Sequence, residues 1–253
     1  MGPPTVVRRT DCPTWESVVP VISESRGYLF ILSPRTGSSA IATGVLLPHL
    51  DGHWLPTKEI VDPRSGKVLV AKKHAPLAPL LRHRVLTKEQ ARRLLKFTAV
   101  RNPFDSMASL YVKQRGSYQH MLDDPDSWVH RRPAYVEAMS VATSGTFGEW
   151  LRFVLAPRTP RQRAYAAVRG RYHPRHLYRA HLEGVDVVLR QESLQKDFDG
   201  VMERLGVPER PVIPSFNVTE EKTESYHGLY DAETRAFAEK VFAPDCRRFG
   251  YRF

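Results

Sequence analysis

Short apolar runs alternate with amphipathic segments along the chain. Gly27–Leu32 is a continuous apolar run, which is typical of a strand buried on both faces of a parallel sheet. Further runs predict strands at Val68–Ala71, Phe97–Val100 and Val185–Leu189. Strands that alternate with helices indicate an α/β fold with a central parallel sheet, in which ligands bind at the carboxyl ends of the strands.

The segments between these runs have the periodicity and capping residues of helices. Thr87 is a suitable N-cap for a basic amphipathic helix over Thr87–Leu95. Asn102 can cap a helix that continues to about Val112, because Pro103 fits the first turn. Further helices are predicted at Ala40–Leu47, at Leu194–Leu205 before Gly206, and at Ala232–Phe242. Residues 113–185 are predicted to be mostly helical, with Pro and Gly breaks.

The length and composition predict one globular domain. With 253 residues and a 42% hydrophobic fraction the chain can bury a sizeable core, and it contains no linker-like segment or internal repeat. Cys12 and Cys246 provide neither a disulfide framework nor a metal-binding quartet, which favours the cytoplasm. The sequence has no run of about 18 apolar residues, so no membrane span is expected.

The formal net charge of +11 predicts attraction to anions. The anion could be a nucleic acid, a membrane surface or a small phosphorylated or sulfated ligand. The densest basic stretch, Arg158–Arg179, lacks the repeated aromatic residues of a base-stacking surface. A basic nucleic-acid-binding protein therefore stays as an alternative rather than the first hypothesis.

Ser33–Ser39 has the composition of an anion-binding loop. It follows a strand, contains Gly37, Arg35 and several hydroxyl groups, and precedes a helix N-terminus. The pattern of a nucleoside triphosphate loop, with its Gly-Lys-Ser/Thr ending, is absent, and so is an obvious magnesium site. These absences weigh against an ATP-dependent small-molecule kinase, which remains a second alternative.

Pro34–Ser39 resembles the 5′-phosphosulfate loop of sulfotransferases that use 3′-phosphoadenosine 5′-phosphosulfate (PAPS). Arg101–Asp105, followed by Ser109 eight residues after Arg101, resembles the 3′-phosphate site of the same family. The resemblance implies a P-loop NTPase-like three-layer fold, in which helices flank the central sheet. It also implies that adenosine 3′,5′-bisphosphate is the second product and that no metal is needed.

The C-terminal third extends the resemblance. Val185–Gly206 resembles the family's strand and helix, and Asn217–Tyr226 with Tyr230–Tyr251 is similar to the carbohydrate-type branch. Gln191 departs from the aromatic residue that many members carry. Residues 113–182 match no segment of the family, and we expect 113–185 to form an acceptor-binding insertion within one domain over residues 1–253.

The resemblance assigns the donor-binding residues one by one. Residues expected to hold the 5′-phosphosulfate are Arg35, Thr36, Gly37, Ser38 and Ser39, and those expected to hold the 3′-phosphate are Arg101 and Ser109. Arg35 is also expected to act in catalysis, because a cation beside the leaving oxygen stabilises the charge that develops there.

Two residues compete for the role of general base. Lys72–Leu77 resembles the Lys-Thr-His-Leu-Pro segment of the family's soluble branch, which implies that His74 is the base and that Lys72 stabilises charge. The carbohydrate branch often uses a glutamate, so Glu59 is the alternative. The expected acceptor is a hydroxyl of a carbohydrate, a glycolipid or a hydroxylated natural product.

Overall fold

The structure, a computed structural model, describes residues 20–66, 68–70, 74–169, 174–215 and 225–253. The chain divides into two compact units. The first comprises Met1–Val100 and Ala180–Pro214, and the second comprises Arg101–Arg179 and Ser215–Phe253. The single domain expected from the sequence stays a prediction.

The strands of the described ranges all lie in the first unit. They are β1 (Val21–Ser23), β2 (Tyr28–Ile31), β3 (His53–Trp54), β4 (Ile60–Val61), β5 (Val68–Val70), β6 (Leu95–Val100) and β7 (Val187–Arg190). A five-stranded sheet has the order β3-β1-β2-β6-β7, and β4 and β5 form a separate antiparallel pair. The predicted strand at Val68–Ala71 is confirmed over Val68–Val70 but does not join the central sheet, and Ala71 lies outside the described residues.

The central sheet is mixed rather than wholly parallel. β2, β6 and β7 are parallel to one another, with Phe30 opposite Phe97 and Phe97 opposite Val187. β1 runs antiparallel to both β2 and β3. A short turn joins β1 to β2, and a connection of that length permits only an antiparallel pair.

The helices, in chain order, are α1 (Ser38–Ile41), a π-helical turn (Ala42–Leu46), α2 (Leu47–His49), α3 (Leu77–Arg82), α4 (Lys88–Arg93), α5 (Pro103–Arg115), α6 (Pro133–Ser144), α7 (Phe147–Leu155), α8 (Pro160–Arg169), α9 (Arg179–Leu182), α10 (Leu194–Arg204) and α11 (Ala232–Phe249). Short 3₁₀ turns occupy Gln119–Leu122, Trp128–Arg131, Gln191–Ser193 and Tyr226–Leu229. None of the helices in the described ranges has the length and apolar character to cross a membrane.

Both faces of β2 are buried, as its continuous apolar run predicts. Tyr28 and Phe30 belong to one cluster of buried side chains, together with residues from α1 and α10, while Leu29 and Ile31 belong to a second cluster that contains residues from α3 and α4. Successive strand residues point to opposite faces, so an uninterrupted apolar strand requires cover on both sides. In the first unit the sheet is thus covered on both faces.

The predicted helix caps are confirmed. Thr87 accepts a hydrogen bond from the Gln90 backbone N–H and forms a capping box at α4. Asn102 accepts a hydrogen bond from the Phe104 backbone N–H at α5. These caps involve residues close in sequence, which explains why the sequence alone is sufficient to locate them.

The second unit is helical and has an aromatic core. Phe104 contacts the rings of Tyr230 and Phe242 edge to face. α11 continues through Pro244 to Phe249, seven residues beyond the predicted end at Phe242. Its buried Asp245 accepts a hydrogen bond of 2.7 Å from the Leu177 backbone N–H, a contact between distant parts of the chain that the sequence pattern did not indicate.

Candidate functional site

The loop Ser33–Ser39 connects β2 to a continuous helical segment that begins at Ser38. This start lies two residues before the predicted one at Ala40. Gly37 has φ +75° and ψ 4°, the left-handed conformation, which L-residues other than glycine seldom adopt. The turn at Gly37 explains the early start, because it brings Ser38 directly into the first helical turn.

The side-chain hydroxyls of the loop form hydrogen bonds within the loop and to the neighbouring strand. Thr36 Oγ1 and Ser38 Oγ both donate to the Ser33 carbonyl, at 3.0 and 2.7 Å. Ser33 Oγ lies 2.7 Å from Thr98 Oγ1, whose hydroxyl donates to the Ile31 carbonyl. These buried contacts stiffen the loop, and an anion would meet backbone N–H groups of the loop rather than the hydroxyls of Thr36 and Ser38.

The loop backbone has the form of an anion-binding concavity. Arg35 and Gly37 both have left-handed φ values, 69° and 75°. Such turns direct successive backbone N–H groups toward one point. Among the described residues, no acceptor is paired with the backbone N–H groups of Gly37, Ser38 and Ser39. The residues present therefore fit a phosphate or sulfate group.

The segment after β7 packs against the loop glycine. A Cβ atom built on Gly37 would lie 3.0 Å from Leu194 Cδ2 and 3.9 Å from Gln191 Cγ. The sequence marks Gln191 only as a departure from the family pattern and Leu194 only as the start of a helix. No local signal links either residue to the loop, because the contact depends on the pairing of β7 with β6.

His74 lies beside the loop. Its Nδ1 is 3.0 Å from the carbonyl oxygen of Leu32, the residue immediately before Ser33. A carbonyl can only accept a hydrogen bond, so Nδ1 carries the hydrogen and Nε2 carries the lone pair of the neutral ring. This tautomer is the one in which Nε2 can accept a proton. The structure thus brings two sequence-predicted elements, His74 and the loop, together.

A second histidine supports the backbone of His74. His181 Nε2 donates to the His74 carbonyl oxygen at 3.1 Å, and burial lowers the pKa of His181 below its ordinary value of 6.5. His74 has φ 55°, a left-handed conformation that is uncommon outside glycine. The hydrogen bond from His181 helps to hold this conformation. The sequence gives no hint of the contact, since His181 lies 107 positions from His74.

The other two candidates for the acid–base chemistry are not brought to this site by any described contact. Lys72 lies outside the described residues. Glu59 is exposed and immediately precedes β4, in the separate two-stranded sheet. The structure therefore adds a geometric argument for His74 and none for Glu59.

The second predicted phosphate-binding element lies in the second unit, at the start of α5. Arg101 Nε and Nη2 contact Asp105 Oδ2 at 2.7 and 2.6 Å, and both side chains are 14% exposed. Ser109 is buried on α5, two turns further along. The assignment of Arg101 and Ser109 to the 3′-phosphate stays a prediction.

Within the parts of the chain that the structure describes, no group of three or more His, Cys, Asp and Glu side chains is arranged to hold a metal ion.

Comparison with known proteins gives one match. The sequence model of the sulfotransferase family matches residues 6–252. No curated protein and no solved structure matches the chain. The match covers nearly the whole chain, including the loop, His74 and the start of α5.

Proposed function

The chain belongs to the sulfotransferase family, and from this premise we propose that it transfers the sulfuryl group of PAPS to a hydroxyl of a carbohydrate, a glycolipid or a hydroxylated natural product. The family match supports sulfuryl transfer in general, and the arrangement of the loop and His74 supports the finer assignment. PAPS supplies an activated sulfuryl group on a phosphate leaving group.

The donor is expected to bind to the loop through the protein backbone. The N–H groups of Gly37, Ser38 and Ser39 and the cationic Arg35 would contact the 5′-phosphosulfate. Arg101 and Ser109 are proposed, from the family resemblance, to contact the 3′-phosphate. Donors that are already oriented lose little entropy on binding and stabilise the charge that develops on the leaving oxygen.

His74 is the proposed general base. Its Nε2 would accept the proton of the acceptor hydroxyl while the acceptor oxygen forms a bond to sulfur. The bond between sulfur and the 5′-phosphate oxygen breaks in the same step, and adenosine 3′,5′-bisphosphate leaves. The hydrogen bond of 3.0 Å from His74 Nδ1 to the Leu32 carbonyl carries this proposal, because it sets both the tautomer and the position beside the loop.

Calorimetric titration with adenosine 3′,5′-bisphosphate, compared with ATP plus magnesium, tests the donor assignment. We expect binding of the bisphosphate without a metal, and little change on addition of a chelator. Preference for ATP with magnesium would instead support a kinase, and binding of polynucleotides with a steep salt dependence would support a nucleic-acid-binding protein.

Replacing the base tests the chemical step. His74→Ala is expected to lower kcat by roughly 10²- to 10⁴-fold, the usual contribution of a positioned general base, with the affinity for the bisphosphate largely kept. Glu59→Gln is the matched comparison and is expected to keep kcat. The reverse pattern would transfer the role of general base to Glu59.

A further inference from the structure

A cavity in the second unit lies outside the residues considered so far. Its volume is about 400 Å³, and Leu110, Ala138 and Val154, from α5, α6 and α7, form its apolar wall. Volumes of about 300 to 1,000 Å³ are typical of small-molecule sites. The size and the apolar wall together suit the body of a small organic ligand.

One buried polar side chain contributes a hydrogen-bond donor to this cavity. Gln114 lines the cavity and is 1% exposed. Its Oε1 accepts a hydrogen bond of 2.7 Å from Trp150 Nε1, which fixes the orientation of the amide. Among the described residues nothing accepts a hydrogen bond from the Gln114 side-chain nitrogen. The amide nitrogen can therefore donate a hydrogen bond to a ligand.

Two arginines also line the cavity. Arg132 lies over the Trp128 ring, with its guanidinium carbon 5.4 Å from the ring centroid, and Arg158 lies 5.6 Å from the centroid of Phe153. Within the described ranges neither arginine is in an ion pair, and no carboxylate lines the cavity. Two cations without a neutralising carboxylate favour an anionic ligand.

We propose that this cavity binds a small amphipathic anion, in which an aromatic or aliphatic body carries a carboxylate, sulfate or sulfonate group. The apolar body packs against Leu110, Ala138 and Val154, and the anionic group meets Arg132, Arg158 and the Gln114 amide. The proposal does not depend on the use of PAPS, because the residues that carry it lie within the second unit and differ from those assigned to the donor.

Calorimetric titration of the full chain with naphthalene-2-sulfonate tests the proposal. Saturating adenosine 3′,5′-bisphosphate is present throughout, so that it occupies the proposed donor loop and the probe cannot bind there. We expect the sulfonate to bind at least about tenfold more tightly than the neutral analogue naphthalene-2-methanol, the difference that one charge-assisted contact supports. Equal affinity for the two compounds, or binding of neither, would overturn the proposal.

Single substitutions locate the binding. Arg132→Gln and Arg158→Gln each remove one charge. Each is expected to lower the affinity for the sulfonate by about tenfold and to change the affinity for the neutral analogue little. Arg131→Gln is the matched control, because Arg131 is exposed, adjacent in sequence and absent from the cavity lining. An equal loss in the control would show that only the general positive charge matters. All three positions are exposed, and a thermal melt checks that the variants remain folded.

Discussion

Strands β2 and β6 are each followed by a polar segment and a helix, yet the two segments present different groups. After β2, the hydroxyls of Thr36 and Ser38 donate to the Ser33 carbonyl, which leaves backbone N–H groups as the donors for a ligand. After β6, the side chain of Arg101 is held by Asp105. If both segments bind the donor as proposed, binding by the first should depend mainly on backbone conformation and binding by the second on side-chain chemistry.

The largest effect expected on the affinity for the donor product concerns the second segment. Arg101→Ala removes a guanidinium and should weaken binding of adenosine 3′,5′-bisphosphate by about 10- to 150-fold, since a hydrogen bond to a charged group contributes about 1.5 to 3 kcal/mol. Asp105→Asn keeps the arginine and should change the affinity by less than about threefold. Titration calorimetry measures both, and an unchanged affinity in Arg101→Ala would remove this residue from the donor site.

Backbone conformation in the first segment is tested at Gly37. In Gly37→Ala the new side chain is attached at φ +75°, and its Cβ lies 3.0 Å from Leu194 Cδ2. Gly27→Ala is the control, because φ is +70° there and no atom lies within 4 Å of the new Cβ. Both should lose about 1 to 2 kcal/mol of stability from the left-handed conformation. Only Gly37→Ala should also lower the affinity for the bisphosphate, by about tenfold. Thermal melts and titration separate the two effects, and equal behaviour of the two variants would contradict the role of the loop backbone.

A smaller effect is expected from the loop hydroxyls. Thr36→Val removes the hydrogen bond to the Ser33 carbonyl and should lower the free energy of unfolding by about 1 kcal/mol. The affinity for the bisphosphate should fall by less than about threefold, because this hydroxyl is not available to a ligand. Denaturant unfolding measures the free energy of unfolding, and calorimetric titration measures the affinity for the bisphosphate. A large loss of affinity with full stability would show that the hydroxyl contacts the ligand directly.

The smallest effect is a dependence of stability on pH through His181. Burial lowers the pKa of His181 in the folded chain, so the unfolded chain binds more protons below about pH 6.5. Stability should fall as the pH drops from 6.5 through the lowered pKa, by at most about 1.4 kcal/mol per pH unit. Above pH 6.5 this contribution should be constant.

His181→Gln is the variant that isolates this titration. An amide can still donate to the His74 carbonyl but does not take up a proton in this pH range. The free energy of unfolding of both proteins is measured from pH 5 to 8. The difference between the two values at each pH gives the contribution of His181 to stability. Identical pH profiles would show that His181 titrates normally in the folded chain.

Local features of the fold were predictable from neighbouring residues. The caps at Thr87 and Asn102 involve side chains within a few positions of one another, and the burial of β2 was predicted from its uninterrupted apolar run. All three are confirmed. The strands β1, β3 and β4 were missed because each has only two or three residues, too few for a periodic pattern. The predicted length of α11 was too short, because a proline inside a helix normally ends it, yet α11 continues through Pro244.

In the candidate site, too, some features were predictable from the sequence and others were not. The loop residues and His74 were identified from the order of residue types along the chain and from the family resemblance. The contacts of Leu194 with Gly37 and of His181 with His74 join residues more than 100 positions apart, and no local pattern specifies such pairs.

The sequence by itself determined the family, the α/β class, the position of the candidate anion-binding loop and the residue types proposed to support sulfuryl transfer. These depend on short-range order and on residue chemistry. Only the tertiary structure decided the mixed direction of the sheet, the hydrogen bond between Ser33 and Thr98 and the tautomer of His74. Hydrogen bonds are short and directional, so their partners are set when distant segments pack together.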